Sequence, residues 1–258
     1  MKPIALITGA SGGIGYELCR QFAKNGYDLI LVARDEEKLK TYSEEFKKNH
    51  DTKSTIILKD LSSVTSAEEI FHQLKHEKIS VDVLVNNAGF GTFGKFLETD
   101  LKKELSMMQV NMITLTLLTK LLLPEMIQKK SGKILNVAST AAFFPGPLMA
   151  VYYATKAFVY SFSQAIRQEL KNTGVSVTVL CPGPTRTGFE KGADLQASKL
   201  FKHALMDAPV VAEIAYKGLM KNKGIVIPGL RNKIQIFSEH FVPRNLIAGI
   251  VESAQKPS

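Results

Sequence analysis

The fold is decided by the stretch Ile4-Ala-Leu-Ile-Thr-Gly-Ala-Ser-Gly-Gly-Ile-Gly15, in which an apolar run leads into a glycine-rich turn. Residues 4–8 form a short apolar run, which is typical of a strand buried in a parallel sheet. Residues 16–25 carry apolar side chains at helical spacing, and Gly26 ends that helix. A strand, a glycine turn and a helix N-terminus in this order form a cradle for a pyrophosphate, because backbone N–H groups and the helix dipole attract anionic oxygen.

The rest of the chain alternates apolar runs with helical segments. The later strands are predicted at 28–33, 54–58, 81–85, 133–137, 175–180 and 225–227, and further helices at 66–77, 101–130 and 152–171. This alternation predicts a single-domain α/β fold across residues 1–258, a Rossmann-type doubly wound parallel sheet of about seven strands with helices on both faces.

Polar residues stand at or just past the ends of the predicted strands. They are Thr8, Arg34, Asp60, Asn86, Ser139 and Cys181. Right-handed crossovers bring the carboxyl ends of parallel strands to one edge of the sheet, where α/β folds bind their ligands. We therefore expect these side chains to surround one site.

The run Tyr-Tyr-Ala-Thr-Lys at 152–156 carries the residues suited to catalysis. Tyr152 and Lys156 are four residues apart, so they share one face of a helix. A cation beside a phenol favours the phenolate and is expected to lower the pKa of Tyr152 from its ordinary value of about 10. Such a group serves as a general acid/base for a hydroxyl or a carbonyl. Tyr153 has no lysine four residues on, and is predicted to have no such role.

Four motifs resemble the short-chain dehydrogenase/reductase family in both their order and their spacing. They are Thr8-Gly-Ala-Ser-Gly-Gly-Ile-Gly15, Asn86-Asn-Ala-Gly89, Ser139 and Tyr152-x-x-x-Lys156, and the same pattern fits Asn111, Pro182-Gly183 and Thr187. The resemblance covers roughly residues 2–230. It implies an NADP-preferring carbonyl reductase or alcohol dehydrogenase of the bacterial type, acting on CH–OH groups.

This resemblance implies a Ser-Tyr-Lys-Asn site. Tyr152 would exchange a proton with the substrate oxygen, and Ser139 would donate a hydrogen bond to the same oxygen, where negative charge develops. Lys156 would lower the pKa of the tyrosine and hold the nicotinamide ribose. Asn111 would break its helix locally and position a water that links Lys156 to solvent.

The end of the second strand indicates the cofactor. Ala33 stands where NAD-preferring relatives carry aspartate, and Arg34 follows at once. An acidic residue there binds the ribose 2′-hydroxyl of NAD, whereas arginine suits a 2′-phosphate. Asp35 is a nearby acid, but it is expected to cap the next helix and turn away. The sequence therefore predicts NADP(H).

The resemblance also implies which residues contact the cofactor. They lie in the glycine turn, at the ends of the next three strands, on the catalytic helix and after the sixth strand. They are Gly9, Ser11, Gly13, Ile14, Gly15, Arg34, Asp60, Leu61, Asn87, Ala88, Gly89, Tyr152, Lys156, Pro182, Gly183, Thr185 and Thr187. No metal site is expected, because two widely spaced cysteines, Cys19 and Cys181, do not form one.

Apolar segments are expected to form the walls of the substrate site. They comprise residues 140–149, Phe90 and Phe93, and a lid at 188–208. Apolar walls favour a small hydrophobic carbonyl compound or alcohol over a sugar or a charged acid. The alternative is that some of these side chains only pack the core.

The composition is that of an ordinary globular enzyme. The chain has 258 residues, of which 45% are apolar and 22% charged. No apolar run approaches the roughly 18 residues of a membrane span, and the core strand after Met-Lys-Pro leaves no room for a signal peptide, so a cytoplasmic location is predicted. The net charge of +9 is interpreted as a solvated surface and a cleft for an anionic cofactor, rather than as a nucleic-acid site.

The C-terminal extension at 231–258 mixes apolar and basic residues, and Pro243 is expected to split it into two short helices. Three interpretations remain open: it docks on the domain, it contacts another subunit, or it touches a membrane surface. The resemblance implies a homodimer or homotetramer, because the helices at 101–130 and 152–171 form the usual dimer face of the family.

Two functions are compatible with these observations. The first is an NADP(H)-dependent oxidoreductase that reduces the carbonyl of a hydrophobic molecule, or oxidises the corresponding alcohol, by hydride transfer. The second is an NADP(H)-binding regulatory protein of the same fold without significant turnover, since fold alone cannot separate the two. The presence of Asn111, Ser139, Tyr152 and Lys156 together favours the enzyme.

Overall fold

The computed structural model describes residues 2–189, 205–238 and 241–255, and a seven-stranded parallel sheet lies at its centre. The strands are β1 (Ile4–Thr8), β2 (Asp28–Ala33), β3 (Ser54–Leu58), β4 (Val83–Asn86), β5 (Gly132–Val137), β6 (Val175–Leu180), β7 (Thr185–Arg186), β8 (Met206–Asp207) and β9 (Ile225–Val226). Their order across the sheet is β3-β2-β1-β4-β5-β6-β9, while β7 pairs only with β8. The predicted Rossmann-type sheet is confirmed, although β4 begins two residues later than expected.

Helices cover both faces of this sheet. They are α1 (Gly13–Lys24), α2 (Glu36–His50), α3 (Ser66–His76), α4 (Leu101–Met108), α5 (Leu115–Gln128), α6 (Ala150–Glu169), α7 (Ala208–Met220), α8 (Leu230–Ser238) and α9 (Arg244–Gln255). Successive strand residues point to opposite faces. Accordingly, Ile7 of β1 packs with Leu18 of α1, while the preceding Leu6 packs on the other side with the cluster around Leu122 of α5. The sheet is therefore buried on both faces, which explains its unbroken apolar strands.

The longest helical segment joins α4 to α5 through a π-helical turn at Gln109–Thr114. The turn contains Asn111, which confirms the predicted local break. The whole segment, Leu101–Gln128, is long and apolar enough to cross a membrane by length and composition alone. Its residues Leu118, Leu122 and Met126 are buried against the sheet, so this part of the segment packs as a core helix.

The chain reverses direction across the sheet between β1 and β4. After β1 it builds β2 and β3 on one side, then crosses to β4 on the other. Neighbouring carboxyl ends separate at such a switch point, which leaves a crevice for a ligand. The residues that follow β1 and β4 therefore border one cleft.

The C-terminal extension forms two helices, α8 and α9, on either side of Pro243, as predicted. Ile236 and Ile247 are buried, so one side of each helix docks on the domain. The opposite side remains exposed at Leu230, Ile234 and Phe237. Most of the predicted lid, residues 190–204, lies outside the described residues.

Candidate active site

The turn after β1 presents the N-terminus of α1 to the cleft. A Cβ at Gly15 would lie 2.2 Å from the carbonyl oxygen of Gly9, so only glycine allows the turn to pack this closely. A Cβ at Gly12 would meet no described atom within 4 Å, because this position faces the open cleft. No described side chain caps α1, and its first turn holds no acid. Its N–H groups are thus available to an anion.

A hydrogen-bonded brace fixes the ends of β1 and β4 beside each other. The Thr8 hydroxyl accepts hydrogen bonds from the backbone N–H groups of Asn87 and Ala88, both at 3.0 Å. The Asn87 amide donates in return to the carbonyl oxygen of Thr8 at 2.9 Å. This network holds Asn87 and Ala88 at the cleft in a fixed geometry.

A single cavity of about 1210 Å³ runs along the carboxyl edge of the sheet. Every residue that the sequence analysis assigned to the cofactor lines this cavity, from Gly9 in the first turn to Thr187 after β6. Ser139 lines it as well. Asn111 does not line the cavity; it lies directly behind the wall. The structure therefore brings these residues together, as expected from their positions at strand ends.

Tyr152 and Lys156 lie one turn apart on α6 and both are buried. The Lys156 ammonium is 5.7 Å from the centroid of the Tyr152 ring and donates a hydrogen bond to the carbonyl oxygen of Val137 at 3.0 Å. Ser139 follows β5 at the same edge of the sheet, and its hydroxyl is within hydrogen-bonding reach of Tyr152. The predicted grouping of these side chains is present.

The pKa of Tyr152 is raised in the structure, whereas the sequence predicts that it is lowered. Burial raises the pKa of Tyr152 to about 12, and the hydrogen bond with Ser139 opposes only part of this effect. Burial also lowers the pKa of Lys156 to about 8. Removing both groups from water disfavours their charged forms. Tyr152 consequently carries its proton at neutral pH.

Asn111 makes three hydrogen bonds through its side-chain amide. Its oxygen accepts from the backbone N–H of Phe90 at 3.2 Å. Its nitrogen donates to the Phe90 carbonyl oxygen and to the Thr155 hydroxyl, both at 3.0 Å. The side chain therefore ties the loop after β4 to helix α6.

A family model described as short chain dehydrogenase matches residues 3–197. The chain belongs to the short-chain dehydrogenase family. The match spans the glycine turn, the brace at Asn87 and the Ser139–Tyr152–Lys156 group, which are the features that border the cavity. The chain is therefore identified as an oxidoreductase by its family.

Individual relatives agree with this membership. A short chain dehydrogenase of Pseudocercospora fijiensis is 36% identical over 181 residues, which cover 69% of this chain and 58% of the relative. The very-long-chain 3-oxoacyl-CoA reductase of Bos taurus is 33% identical over 196 residues, covering 72% of this chain and 61% of the relative. This short-chain dehydrogenase thus spans about three fifths of the length of both relatives.

Among solved structures, a short-chain dehydrogenase from Sphingobium yanoikuyae in complex with NADPH is similar over 93% of both chains, with a TM-score of 0.83 and 28% identity. This similarity extends beyond the matched family segment into the C-terminal part of the chain.

The region around Arg34 has the charge arrangement that the sequence predicts. Asp35 caps α2 by accepting from the backbone N–H of Lys38 at 3.1 Å, and it pairs with the Lys38 ammonium at 2.8 Å. Its carboxylate is therefore occupied. Arg34 lines the cavity, has a side chain that is 78% exposed, and lies 3.9 Å from Asp60.

Apolar side chains pack against Tyr152. Met149, Phe90 and Phe189 pack around the tyrosine, and the Phe189 ring lies 5.4 Å from that of Tyr152. All of them line the cavity. Phe93 packs against the same cluster without lining the cavity. The predicted apolar surroundings of the site are thus present in the described part of the chain.

Several residues of this short-chain dehydrogenase border the cavity although the sequence analysis gave them no role. Tyr153, predicted to be a bystander, lines the cavity next to Tyr152. The C-terminal helices contribute Arg231, Asn232, Gln235, Ile250, Val251 and Ala254. The hydrophobic periodicity of the C-terminal extension indicates that one side of each of its helices is buried, but it does not identify the surface against which that side packs. No local pattern could indicate that it packs against residues a hundred positions earlier.

Asn111 gives a prediction on stability. Asn111→Leu removes three hydrogen bonds and leaves the half-buried backbone groups of Phe90 without their partner, so we expect the free energy of unfolding to fall by about 1–3 kcal/mol. Urea denaturation measures the change. Asn49→Leu, at an exposed position on α2, is the control and should stay within about 0.5 kcal/mol of the wild type. Equal stability of the two variants would show that the Asn111 amide contributes little.

Proposed function

We propose that this protein is an NADP(H)-dependent reductase of hydrophobic carbonyl compounds, with a catalytic site formed by Asn111, Ser139, Tyr152 and Lys156. One observation carries the proposal: the hydroxyl of Tyr152 shares a single cavity with the anion-binding N-terminus of α1. A proton donor and a nucleotide cradle on one cavity are what a hydride-transfer enzyme requires.

The chemistry of the cavity fits the cofactor. The pyrophosphate would lie beside Gly12, where the cleft is open, and would be held by the free N–H groups at the N-terminus of α1. Arg34 would hold a 2′-phosphate. Lys38 and Lys59 line the same end of the cavity and add positive charge. When bound, the reduced cofactor supplies a hydride. The choice of NADP(H) over NAD(H) rests on these three cations and on the occupied carboxylate of Asp35.

The chain's own residues supply the proton and the oxyanion contacts. Tyr152 is protonated at neutral pH and donates its proton to the carbonyl oxygen. Ser139 donates a hydrogen bond to the same oxygen as negative charge develops there. Lys156 holds its positive charge next to the tyrosine below about pH 8 and so stabilises the phenolate that is left behind.

The substrate class follows from the surroundings of Tyr152. Phe90, Met149 and Phe189 provide apolar surface on the sides from which a substrate would approach. A pocket of this kind favours an aliphatic or aromatic ketone, or the corresponding alcohol, over a sugar. The bovine relative acts on an acyl chain by its name, which agrees with an apolar substrate.

Oxidation of NADPH over a panel of aldehydes, ketones and quinones tests the proposal. We expect turnover to increase with the apolar character of the carbonyl compound. The second hypothesis, a regulatory protein that binds NADPH without turnover, predicts tight NADPH binding and no oxidation over the whole panel. The proposed function is wrong in that case.

Lys156→Met provides a pH-dependent test of the catalytic assignment. Because the pKa of Lys156 is about 8, the wild-type kcat/KM for NADPH, which reports the free enzyme, should fall as the pH rises through 8. The variant removes this charge, so its basic limb should move to higher pH, with a lower rate and weaker NADPH binding throughout. An unchanged profile with unchanged affinity would exclude Lys156 from catalysis.

The proposal also includes a cytoplasmic location and a homodimer or homotetramer. The Phe158 and Phe162 rings stack at 5.8 Å on the outer side of α6, and Phe158 is 37% exposed. An exposed aromatic pair on this helix supports a subunit contact. The same proposal includes the single-domain organisation from 1 to 258, the lid at 188–208, and a peripheral membrane contact through the C-terminal extension at 231–258.

A further inference from the structure

The last helix of the described chain forms part of the substrate end of the cavity. In α9, Ile247, Val251 and Gln255 are spaced four residues apart and therefore lie along one side. Ile247 is buried, Val251 lines the cavity and Gln255 is 0% exposed. Ile250 and Ala254 line the cavity next to this row. Helix α9 is thus a wall of the cavity that is anchored at both ends.

The anchor at the C-terminal end is a hydrogen bond to α6. The Gln255 amide nitrogen donates to the Tyr153 hydroxyl at 2.9 Å, across 102 positions of sequence. The amide oxygen of Gln255 is buried and has no hydrogen-bond partner among the described residues. Gln255 therefore depends on Tyr153 for the hydrogen bond that offsets its removal from water.

Tyr153 is itself held in a fixed position. A Cβ on Gly146 would lie 2.2 Å from the Tyr153 ring, so the ring rests directly against the backbone of the loop before α6. On its other side it meets the ring of Tyr152, with the centroids 6.1 Å apart. Tyr153 thus joins the loop, the proposed proton donor and α9.

We propose that the hydrogen bond between Gln255 and Tyr153 latches α9 over the cavity and thereby limits the size of the substrate that reaches Tyr152. Tyr153 and Gln255 are positioning residues in this proposal, and Val251 and Ala254 are the residues that meet the substrate. The inference rests on the proposed function, because it assigns the substrate end of the same cavity.

Hydrogen exchange of the α9 amides tests the latch without any assay of activity. Tyr153→Phe leaves the buried Gln255 amide without a partner, so exchange in 244–255 should accelerate by about 5- to 150-fold. Tyr153→Phe with Gln255→Leu also lacks the hydrogen bond but leaves no unpaired amide, so its α9 amides should still exchange faster than those of the wild type, although less so than in Tyr153→Phe. Tyr160→Phe is the matched control, since Tyr160 lies on α6 against Phe143, outside the cavity.

A series of ketones of increasing bulk tests the size limit. In Tyr153→Phe, the ratio of kcat/KM for the bulkiest ketones to kcat/KM for the smallest should rise at least about threefold. The rise should come from a lower KM for the bulky ketones rather than from a higher kcat. The affinity for NADPH should stay unchanged. Tyr160→Phe should keep the wild-type profile. The double variant, which also lacks the hydrogen bond, should favour bulky ketones more than the wild type does, although less than Tyr153→Phe.

The outcomes separate the inference from the proposed function. Equal exchange of α9 in Tyr153→Phe and wild type overturns the latch, and so does a double variant that exchanges as slowly as the wild type, because α9 would then be held without the hydrogen bond. If a variant shows faster exchange of α9 but the same dependence of kcat/KM on ketone size as the wild type, α9 does not limit the size of the substrate. If the wild type oxidises NADPH with none of the ketones tested, the proposed function is wrong. The exchange rates of the α9 amides still decide whether the latch exists.

Discussion

Tyr152→Phe is expected to reduce kcat by about 10²- to 10⁴-fold, which is the usual contribution of a general acid/base. The variant keeps the ring that packs with Met149 and Phe189 but lacks the proton that the carbonyl oxygen must receive. Because the hydroxyl takes no part in the glycine turn or in the brace at Thr8, NADPH binding should remain nearly intact. Steady-state rates with the best ketone, together with NADPH titration, measure both quantities.

The control for this experiment is chosen from the structure. The neighbouring Tyr153 offers the same substitution, but it lines the cavity and accepts a hydrogen bond from Gln255, so Tyr153→Phe is not a silent change. Tyr160→Phe changes a tyrosine on the same helix outside the cavity and should leave kcat nearly unchanged. Turnover above a tenth of the wild-type value in Tyr152→Phe would refute the assignment.

Cofactor preference is expected to reverse when the end of β2 is changed. A hydrogen bond to a charged group contributes about 1.5–3 kcal/mol, which corresponds to about 10- to 150-fold preference for NADPH over NADH. Arg34 is 78% exposed, so solvent screening places the wild type near the lower end. Ala33→Asp with Arg34→Ala removes the partner of the 2′-phosphate, repels it, and offers the 2′-hydroxyl an acceptor. The measurement is kcat/KM for both cofactors in both proteins.

Two further variants isolate the contribution of Arg34. Ala33 is 7% exposed, so melting temperatures should accompany the kinetics of the double variant. Lys38→Ala removes a second cation from the same end of the cavity and should change the preference less than Arg34→Ala does. A wild type that prefers NADH, or a double variant that still prefers NADPH, would show that other residues set the choice.

Local sequence determined the elements of the fold and the position of the cleft. Strand and helix periodicity, together with the glycine turn at 9–15, depends only on neighbouring residues, so the positions of the strands along the chain and the cradle at α1 could be predicted. The same holds for Asp35, whose place before a helix predicted its capping role. The break at Asn111 came instead from the family motif, since nothing in the local periodicity requires a π-helical turn.

Tertiary structure alone decided the electrostatics of the site and the residues that complete its walls. Spacing placed Lys156 beside Tyr152, but only burial determines that the pKa of Tyr152 rises to about 12 and that of Lys156 falls to about 8. Contact between Tyr153 and Gln255 joins positions 102 residues apart, and no local pattern encodes such a pairing. Sequence periodicity specifies which side of a helix is buried, whereas the partner of that side depends on how the whole chain packs around the sheet.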